Sequence, residues 1–494
     1  MKTELSPATS IDISIFGKYK RLKFLVVGDV MLDHYIQADV ERTSPEAPVI
    51  VASVQSEHYV PGGAANVATN LKAMGAKVLL AGIIGNDKSG DVLISLLEEK
   101  GIGTNILLTD PDRSTTLKTR IMARGQQILR LDREVKTPVG EKFVIQLKNF
   151  LRRNAGGING IIISDYAKGL CTKEFLEPVI EFAKRHGITT LCDPKGNDFS
   201  KYRGVDILTP NFREVQAATK LSIKDNKTLE RAAQKIIRIT DSKAVVVTRG
   251  AEGVSLFINR KPPIHIPTHA QEVYDVTGAG DTFISHFSLA HLAGLPYRQA
   301  AHIANFASAI VVGKLGVAVV SPEELVSFIR TETFVIKIKT LKELVEIIKG
   351  LKASGKKVVF TNGCFDLIHI GHIKFLQEAR RLGDCLIVGI NTDTSVRKVK
   401  GPGRPLIGEN ERADLLAALH WVDYVVLFDE TTPEPMLRAL KPDILVKGKN
   451  LRPEEIVGYE IVKGYGGEVR RLPFFSNIST SERLKDIVKT LKNK

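Results

Sequence analysis

The sequence predicts an α/β protein built from two separate domains. Short apolar or β-branched runs alternate with segments of helical period, a pattern typical of mainly parallel sheets. The pattern restarts late in the chain, where Lys356–Phe360 leads into Thr361-Asn362-Gly363 much as Lys23–Val27 leads into Gly28-Asp29. We therefore expect a first domain at residues 1–330, a linker at 331–340 and a second domain at 341–494.

Size and composition exclude several classes of protein. The chain has 494 residues, too many for one ordinary core, and no apolar run approaches the ~20 residues of a membrane helix. Met1–Lys20 lacks the apolar centre of a secretory signal, and the four cysteines form no C-x-x-C pair, so we expect a cytoplasmic protein with reduced thiols. The net charge of +15 comes from scattered lysines, which favours phosphorylated metabolites as partners and predicts no nucleic acid and no membrane.

The first domain has a regular series of strand-like runs. Helical segments such as Phe175–His186 and Leu229–Ile239 lie between them. Gln37–Tyr59 differs because it is rich in Val, Ser and Pro, and we expect irregular β structure there, forming a small lid over the sheet edge. The predicted strands are Phe24–Val27, Val78–Ile84, Gly160–Ser164, Thr189–Cys192, Asp206–Thr209 and Ala244–Thr248.

Asp275–Thr282 is the most informative motif of this domain. The small residues Gly278-Ala279-Gly280 precede an apolar helix, so backbone N–H groups and the helix start can hold an anion. Asp281 is the carboxylate at the tip and could accept the proton of an attacking hydroxyl during phosphoryl transfer. The competing interpretation is a glycine-rich turn in which Asp281 caps the helix.

Further turns carry matching chemistry. Pro61–Asn66 is a glycine-rich turn whose Asn can bind sugar hydroxyls, and Asp33 supplies an acceptor for vicinal hydroxyls. Asn211 and Glu214 form an N-x-x-E pattern whose carboxylate can organise water and Mg²⁺. Thr248–Gly253 is a third glycine-rich turn, directly after a strand.

In this order the motifs resemble the ribokinase, or carbohydrate-kinase, family over roughly residues 20–325. The resemblance implies a ribokinase-like α/β/α sandwich with a small β lid, ATP and Mg²⁺, and Asp281 as the catalytic base. It implies an anion hole of Gly278, Ala279 and Gly280, with Asn211 and Glu214 near the Mg²⁺–phosphate group. It also implies ATP contacts by Thr248, Gly250, Gly253 and Asn305, and sugar contacts by Asp33, Gly62, Gly63 and Asn66.

Four more segments resemble the heptose 7-phosphate kinases of lipopolysaccharide precursor synthesis. Arg130 and Lys195 are then candidates for holding the distal phosphate of the sugar, with a surface ion pair as the equal alternative for each. Lid strands in this family often pair between subunits, which predicts a homodimer. The four segments are Gly28–Asp33, Ser44–Pro48, Ser164–Gly169 and Asp193–Gly196.

The second domain has its own motif. After a predicted amphipathic helix, Leu341–Leu351, the run Thr361–Asp366 leads into His369-Ile370-Gly371-His372 and a further helix. Histidines three apart at a helix start share a face and can donate to phosphate oxygens in a transition state. A zinc site of Cys364, His369 and His372 is one alternative, and a capped helix with incidental histidines is another.

Together with the late Ile478–Ser481, these residues resemble the cytidylyltransferase-like superfamily over about residues 341–494. The resemblance implies a Rossmann-like nucleotidyltransferase domain in which His369 and His372 are transition-state donors. Phe474–Asn477 replaces the R-T-x-G of CTP-using members, which favours ATP, whereas Lys449-Asn450 departs from the Gly-Asp of adenylyltransferases. The expected nucleotide contacts are Thr361, Gly363, Phe365, Lys400, Arg404, Ser479, Thr480 and Ser481.

Both domains in this order resemble bifunctional heptose 7-phosphate kinase and heptose 1-phosphate adenylyltransferase enzymes. The same activities on another sugar or alcohol phosphate, and a non-catalytic sugar sensor, are the alternatives. Such a pair of reactions requires a separate C7 phosphatase between them. The D-x-D of Asp110 and Asp112 is the only phosphatase-like pattern, and its Pro111 predicts a loop instead.

Overall fold

A computed structural model of the chain describes residues 13–473 except 154–155, 271–272, 315 and 450–451. Its contacts form two compact units, here called the first unit (Asp12–Phe328) and the second unit (chiefly Ile329–Lys494). Both units combine strands with helices, which confirms the predicted α/β class. None of the described helices has both the length and the apolar character needed to span a membrane.

The first unit alternates strands and helices along the chain. Its strands are β1 (Lys23–Gly28), β2 (Val30–Thr43), β3 (Ile50–Gly63), β4 (Lys77–Gly85), β5 (Gly103–Asp110), β6 (Leu117–Ala123), β7 (Gln126–Arg133), β8 (Gly160–Ser164), β9 (Thr189–Asp193), β10 (Ile207–Leu208), β11 (Ala244–Thr248), β12 (Val254–Ile258) and β13 (Ile264–Ile266). Its helices are α1 (Phe16–Tyr19), α2 (Ala64–Ala73), α3 (Lys88–Glu99), α4 (Glu141–Arg153), α5 (Lys173–His186), α6 (Phe212–Thr219), α7 (Asn226–Thr240), α8 (Ala279–Leu292) and α9 (Tyr297–Val312).

A nine-stranded sheet forms the centre of this unit, in the order β13-β12-β11-β10-β9-β8-β1-β4-β5. It is parallel from β5 to β11, and the antiparallel strands β12 and β13 complete one edge. Leu25 and Val27 belong to one large core, which α4, α5 and α7 cover. Phe24 and Val26 are equally buried. Because successive side chains of a strand point to opposite faces, this sheet is buried on both sides.

The lid is larger and more regular than the sequence predicts. β2 and β3 form a long antiparallel pair, with register shifts at Gln37/Ala38 and Val40/Arg42. They belong to a four-stranded sheet of order β3-β2-β6-β7. The β structure expected at Gln37–Tyr59 is therefore present, and the expected irregularity is limited to these two register shifts and to residues 44–49 between β2 and β3. Before this segment, Leu32–Gln37 of β2 also pairs with β6, a partner that no local pattern predicts.

The segment expected to be a linker is helical over most of its length. α10 (Pro322–Lys337) extends through residues 331–337, and Thr340 then caps α11 (Leu341–Ala353) by accepting a hydrogen bond from the Glu343 N–H. The predicted amphipathic helix at Leu341–Leu351 is therefore present, with Leu344, Ile347, Ile348 and Leu351 in a core.

The second unit is a single parallel sheet flanked by helices. The strand order is β16-β15-β14-β17-β18, so the chain adds β15 and β16 on one side of the central strand β14 and then β17 and β18 on its other side. Ligands of such sheets bind at the carboxyl ends of the strands beside the point where the order reverses. The strands are β14 (Val358–Gly363), β15 (Cys385–Asn391), β16 (Tyr424–Phe428), β17 (Ile444–Gly448) and β18 (Glu468–Leu472). The remaining helices are α12 (Ile370–Arg380), α13 (Asp393–Lys400), α14 (Glu409–Ala417), α15 (Glu434–Leu440) and α16 (Tyr459–Gly464).

Candidate active sites

Asp281 lies in the first turn of α8 and is only 3% exposed. Its Oδ2 accepts a hydrogen bond from Asn66 Nδ2 at 2.8 Å, and its Oδ1 accepts one from the Tyr166 hydroxyl at 2.7 Å. Burial raises the pKa of the Asp281 carboxyl to about 6, although both hydrogen bonds oppose the rise. A carboxylate with this pKa can take up a proton near neutral pH.

Glycines allow the two predicted turns to meet at this carboxylate. Gly278 precedes α8 with φ 79°, and a Cβ there would lie 2.9 Å from Asn66 Nδ2. A Cβ on Gly62 would lie 2.3 Å from Asp33 Oδ2. Both positions therefore exclude a side chain, and the structure brings the predicted sugar-facing residues Asp33, Gly62, Gly63 and Asn66 towards the start of α8.

Asp33 is paired with a residue that the sequence motifs did not single out. Arg120 Nη1 lies 2.5 Å from Asp33 Oδ1, and the Arg120 guanidinium stands 5.2 Å from the centre of the Tyr35 ring. Burial raises the pKa of the Asp33 carboxyl, and Arg120 opposes this rise. Arg120 lies on β6, so its contact with Asp33 on β2 can be recognised only when the parallel pairing of these two strands is known.

A pocket of about 110 Å³ lies beside Gly280. The predicted ATP residues Asn211, Glu214 and Thr248 line it together with Lys195, which was predicted for the sugar phosphate. Lys195 Nζ lies 2.6 Å from Glu214 Oε1. Asn211 and Glu214 also form a reciprocal cap of α6, so the N-x-x-E pattern fixes the start of this helix. The other residues that line the pocket are Asp165, Tyr166, Asp193, Pro194 and Thr209.

Asp193 is another carboxyl group that lines this pocket. Burial raises the pKa of the Asp193 carboxyl well above the usual range, and the charges of Glu214 and Asp281 raise it further, so its protonated form is favoured in this structure. The pocket offers oxygen atoms of Asp193, Glu214 and Asn211, and oxygen atoms are the ligands that Mg²⁺ prefers. The residues of the pocket therefore fit a Mg²⁺–phosphate group.

The remaining predicted kinase residues lie at several places. Gly253 follows a short 3₁₀ turn that begins at Gly250, and its φ of 82° and its closeness to Ile266 O exclude a side chain. Asn305 is buried on α9 and donates to Pro267 O at 2.6 Å. Arg130 is half-exposed on β7 and pairs with Asp132, so it is not among the residues that line the pocket beside Gly280.

Asp29 and Asp110 accept hydrogen bonds from backbone N–H groups. Among the described residues, Asp29, Asp165 and Cys171 are the only potential metal ligands whose atoms come within 4.8 Å of one another as a group of three. Asp29 accepts hydrogen bonds from the backbone N–H groups of Tyr166, Lys168 and Leu170. Asp110 accepts one from Asp112 N and lies 3.5 Å from Arg113, so the D-x-D segment is the predicted turn.

The two histidines of H-x-G-H cap α12. His369 Nδ1 accepts a hydrogen bond from Gly371 N at 3.1 Å, and His372 Nδ1 accepts one from His369 N at 3.4 Å. A neutral ring whose Nδ1 accepts carries its proton on Nε2. Burial, with the charges of His369 and Lys400, lowers the pKa of His372 to about 4, so it is neutral at pH 7. The neutral His372 ring, whose Nδ1 accepts, therefore carries its proton on Nε2.

Other predicted nucleotide contacts lie around the end of β14. Thr361 is buried and donates to Val446 O at 3.0 Å, which joins β14 to β17 and does not point to a ligand. Gly363 is packed against the Phe365 ring, where a Cβ would approach to 3.1 Å. Phe365 has φ 46° and is 8% exposed.

Asp366 organises the loop that contains Arg404. Its Oδ2 lies 2.5 Å from Arg404 Nη1, and its Oδ1 accepts a hydrogen bond from Leu406 N at 2.6 Å. Burial disfavours the charged form, but these contacts outweigh it and hold the pKa of Asp366 below its usual range. Lys400 ends α13 just before this loop.

Arg412 and Lys447 are two cations that the motifs did not reveal. The fully buried Arg412 donates to Cys364 O and Ile407 O and pairs with Asp393, so it ties the β14 loop to the Arg404 loop. Lys447 donates to Asn362 Oδ1 at 2.5 Å, and burial lowers its pKa to about 8. Ser479, Thr480 and Ser481, together with Asn450, lie outside the described residues.

Comparison with known proteins gives two family matches. Residues 21–324 match the pfkB family of carbohydrate kinases, and residues 360–482 match the cytidylyltransferase-like family. The phosphofructokinase-2 of Escherichia coli with substrates and products covers 62% of this chain and 98% of its own length, with a TM-score of 0.53 and 19% identity. The ribokinase of Arabidopsis thaliana with ribose and ATP covers 62% and 98%, with a TM-score of 0.50 and 19% identity. These structures confirm the ribokinase-like fold of the first unit.

Full-length relatives are also similar. The bifunctional protein HldE of Geobacter metallireducens is 46% identical over 96% of this chain and 98% of its own length. The bifunctional protein HldE of Geobacter sulfurreducens is 44% identical over the same shares of both chains. The similarity thus extends across both units.

Proposed function

This chain belongs to the family of the bifunctional HldE proteins, and on that premise we propose how its two sites divide the work. It is a sugar kinase fused to a nucleotidyltransferase. The first unit phosphorylates D-glycero-β-D-manno-heptose 7-phosphate at C1, with ATP as donor. The second unit transfers the adenylyl group of a second ATP to heptose 1-phosphate and forms ADP-heptose for the lipopolysaccharide inner core.

The kinase step rests on one observation above all, the buried carboxylate of Asp281 at the glycine-rich start of α8. The C1 hydroxyl gives its proton to Asp281 while its oxygen forms a bond to the γ-phosphorus of ATP. The bond from that phosphorus to the β–γ bridging oxygen breaks, and ADP leaves. The N–H groups of Gly278, Ala279 and Gly280 hold the transferring group, as helix starts do for anions.

ATP would bind with its phosphates near Asn211, Glu214 and Thr248. Glu214 would hold Mg²⁺ indirectly, and the ion would neutralise charge on the phosphates. Lys195 pairs with Glu214 in this structure, and its side chain, which is 47% exposed, can turn towards a phosphate.

The transferase step uses the two histidines of H-x-G-H. An oxygen of the sugar 1-phosphate, already ionised near pH 7, attacks the α-phosphorus of ATP, and pyrophosphate leaves. His369 and His372 donate Nε2–H to the oxygens on which charge builds, as their Nδ1 contacts require. Lys400, Arg404, Ser479, Thr480 and Ser481 would hold the triphosphate, and Gly363 and Phe365 the nucleoside.

A homodimer through the lid sheet is part of this proposal. Val54 on β3 and Leu131 on β7 are 61% and 53% exposed, which is unusual for large apolar side chains of a sheet. Pairing of two lids would cover such residues. Val54→Lys should therefore shift the purified chain from dimer to monomer in light scattering, and a monomeric wild-type chain would refute the dimer. We also place the enzyme in the cytoplasm, with a separate C7 phosphatase acting between its two steps.

Two substitutions separate the two sites. Asp281→Asn keeps size but removes the proton acceptor, so phosphorylation should fall by roughly 100- to 10,000-fold while pyrophosphate release persists. His372→Ala should lower adenylyl transfer by roughly 100-fold or more and leave phosphorylation intact. Both rates are measured on each variant, with a panel of sugar phosphates as acceptors. Kinase activity of Asp281→Asn within about threefold of wild type would remove Asp281 from its role.

A further inference from the structure

Tyr166 lies near the start of the turn that follows β8, and hydrogen bonds hold the backbone of this turn. Asp29 Oδ2 accepts hydrogen bonds from Tyr166 N at 2.8 Å and Lys168 N at 3.0 Å. Ala167 adopts φ 55°, a left-handed conformation that is uncommon outside glycine. A segment held in this way has its side chains fixed in direction.

A second buried carboxylate supports the same turn from the other side. Asp165 Oδ1 accepts a hydrogen bond from Ala167 N at 2.6 Å. Asp165 Oδ2 is held by Lys201 Nζ at 2.5 Å and by the Tyr202 hydroxyl at 2.6 Å. The carboxylates of Asp29 and Asp165 therefore hold the backbone of the turn in this conformation. The outcome is that the Tyr166 hydroxyl lies 2.7 Å from Asp281 Oδ1.

Two side chains donate hydrogen bonds to Asp281 and use only part of its acceptor capacity. Asn66 donates to Oδ2 and is itself oriented by Asn70, whose Nδ2 lies 3.1 Å from Asn66 Oδ1. Each carboxylate oxygen has about two acceptor sites. Tyr166 and Asn66 occupy one site on each oxygen, so these two bonds use half of the acceptor capacity of the carboxylate. Tyr166 also lines the pocket beside Gly280.

We propose that Tyr166 is a positioning residue of the kinase, which fixes the rotation of the Asp281 carboxylate and favours its ionised form through the hydrogen bond to Oδ1. This proposal rests on the role of Asp281 as the catalytic base. Burial and the charges of Asp281 and Asp193 raise the pKa of the Tyr166 hydroxyl well above its usual value. Tyr166 therefore stays protonated and donates to Asp281 throughout the working pH range.

Tyr166→Phe tests the proposal, because it removes only the hydroxyl. A hydrogen bond to a charged group favours the ionised form, so its loss raises the pKa of Asp281. The acid limb of kcat for phosphorylation should move up by about one to two pH units, with the KM for ATP little changed. The phosphate of the substrate titrates in the same range, but it does so identically in both proteins, so the difference between them isolates Asp281.

Tyr19→Phe is the matched control, since Tyr19 is fully buried on α1 and its hydroxyl has no hydrogen-bond partner. Its pH profile should coincide with that of wild type. An acid limb of Tyr166→Phe within about 0.3 units of wild type, whether or not kcat falls, would overturn the proposal. Failure of the premise looks different: Asp281→Asn would then retain phosphorylation, whatever Tyr166→Phe does. Circular dichroism and intact pyrophosphate release establish that each variant is folded.

Discussion

Arg120 Nη1 lies 2.5 Å from Asp33 Oδ1, although the two residues are 87 positions apart in the sequence. The contact crosses from β2 to β6, which are parallel neighbours in the lid sheet. Asp33 is a buried carboxylate that the proposed function assigns to the sugar hydroxyls. Arg120 therefore opposes the protonation that burial favours at Asp33.

Arg120→Met should weaken binding of the sugar phosphate and not of ATP. Removing one partner of a buried pair leaves the other uncompensated, and a buried carboxylate then tends to take up a proton. We expect the KM for the sugar to rise by roughly tenfold or more, from the loss of about 1.5–3 kcal/mol. Arg185→Ala, which removes an exposed pair with Glu181 on α5, is the control. Equal changes in both KM values for Arg120→Met would contradict the assignment.

The loop held by Asp366 gives a prediction for the second site. Asp366→Asn weakens the contacts to Arg404 and to Leu406 N, so Arg404 should lose its fixed position. Adenylyl transfer should fall by roughly tenfold or more, as for loss of a charged hydrogen bond, while phosphorylation is unchanged. Glu468→Gln, which removes an exposed pair with Arg470, should affect neither rate. Full pyrophosphate release by Asp366→Asn would show that this loop is not needed.

Much of this architecture is visible in the sequence, and some of it is not. The glycine-rich turns at Gly62 and Gly278 can be recognised from the sequence, because their residue types reflect the local backbone conformation. The structure brings these turns together, with Asn66 Nδ2 2.8 Å from Asp281 Oδ2. Arg120 and Arg412 belong to no local pattern, since their partners depend on strand register and on loop packing. The same holds for the regular lid sheet, whose pairing of β2 with β6 no local pattern predicts.

Nucleotide choice in the second site is a separate prediction. Lys449 occupies a position where the resemblance led us to expect glycine, and its N–H donates to Leu472 O at 2.7 Å, which extends the pairing of β17 with β18. This contact uses only the backbone, so the side chain there is free to vary without altering the sheet. Because Phe474–Asn477 replaces the R-T-x-G of CTP-using members, we expect ATP to be preferred over CTP when both compete for transfer to heptose 1-phosphate. Faster formation of the CDP-sugar would overturn the assignment of ATP.

The order of the two reactions provides the most direct test of the whole account. The kinase product has phosphates at C1 and C7, whereas the transferase accepts a sugar with a phosphate only at C1, and we interpret the D-x-D of Asp110 and Asp112 as a turn and not as a phosphatase motif. Phosphorus NMR of the purified chain with heptose 7-phosphate, ATP and Mg²⁺ should show accumulation of the 1,7-bisphosphate. Addition of a separate C7 phosphatase should then release pyrophosphate and ADP-heptose. Absence of the C1 phosphate in the first stage, or of pyrophosphate in the second, would contradict the assignment of two activities to this chain.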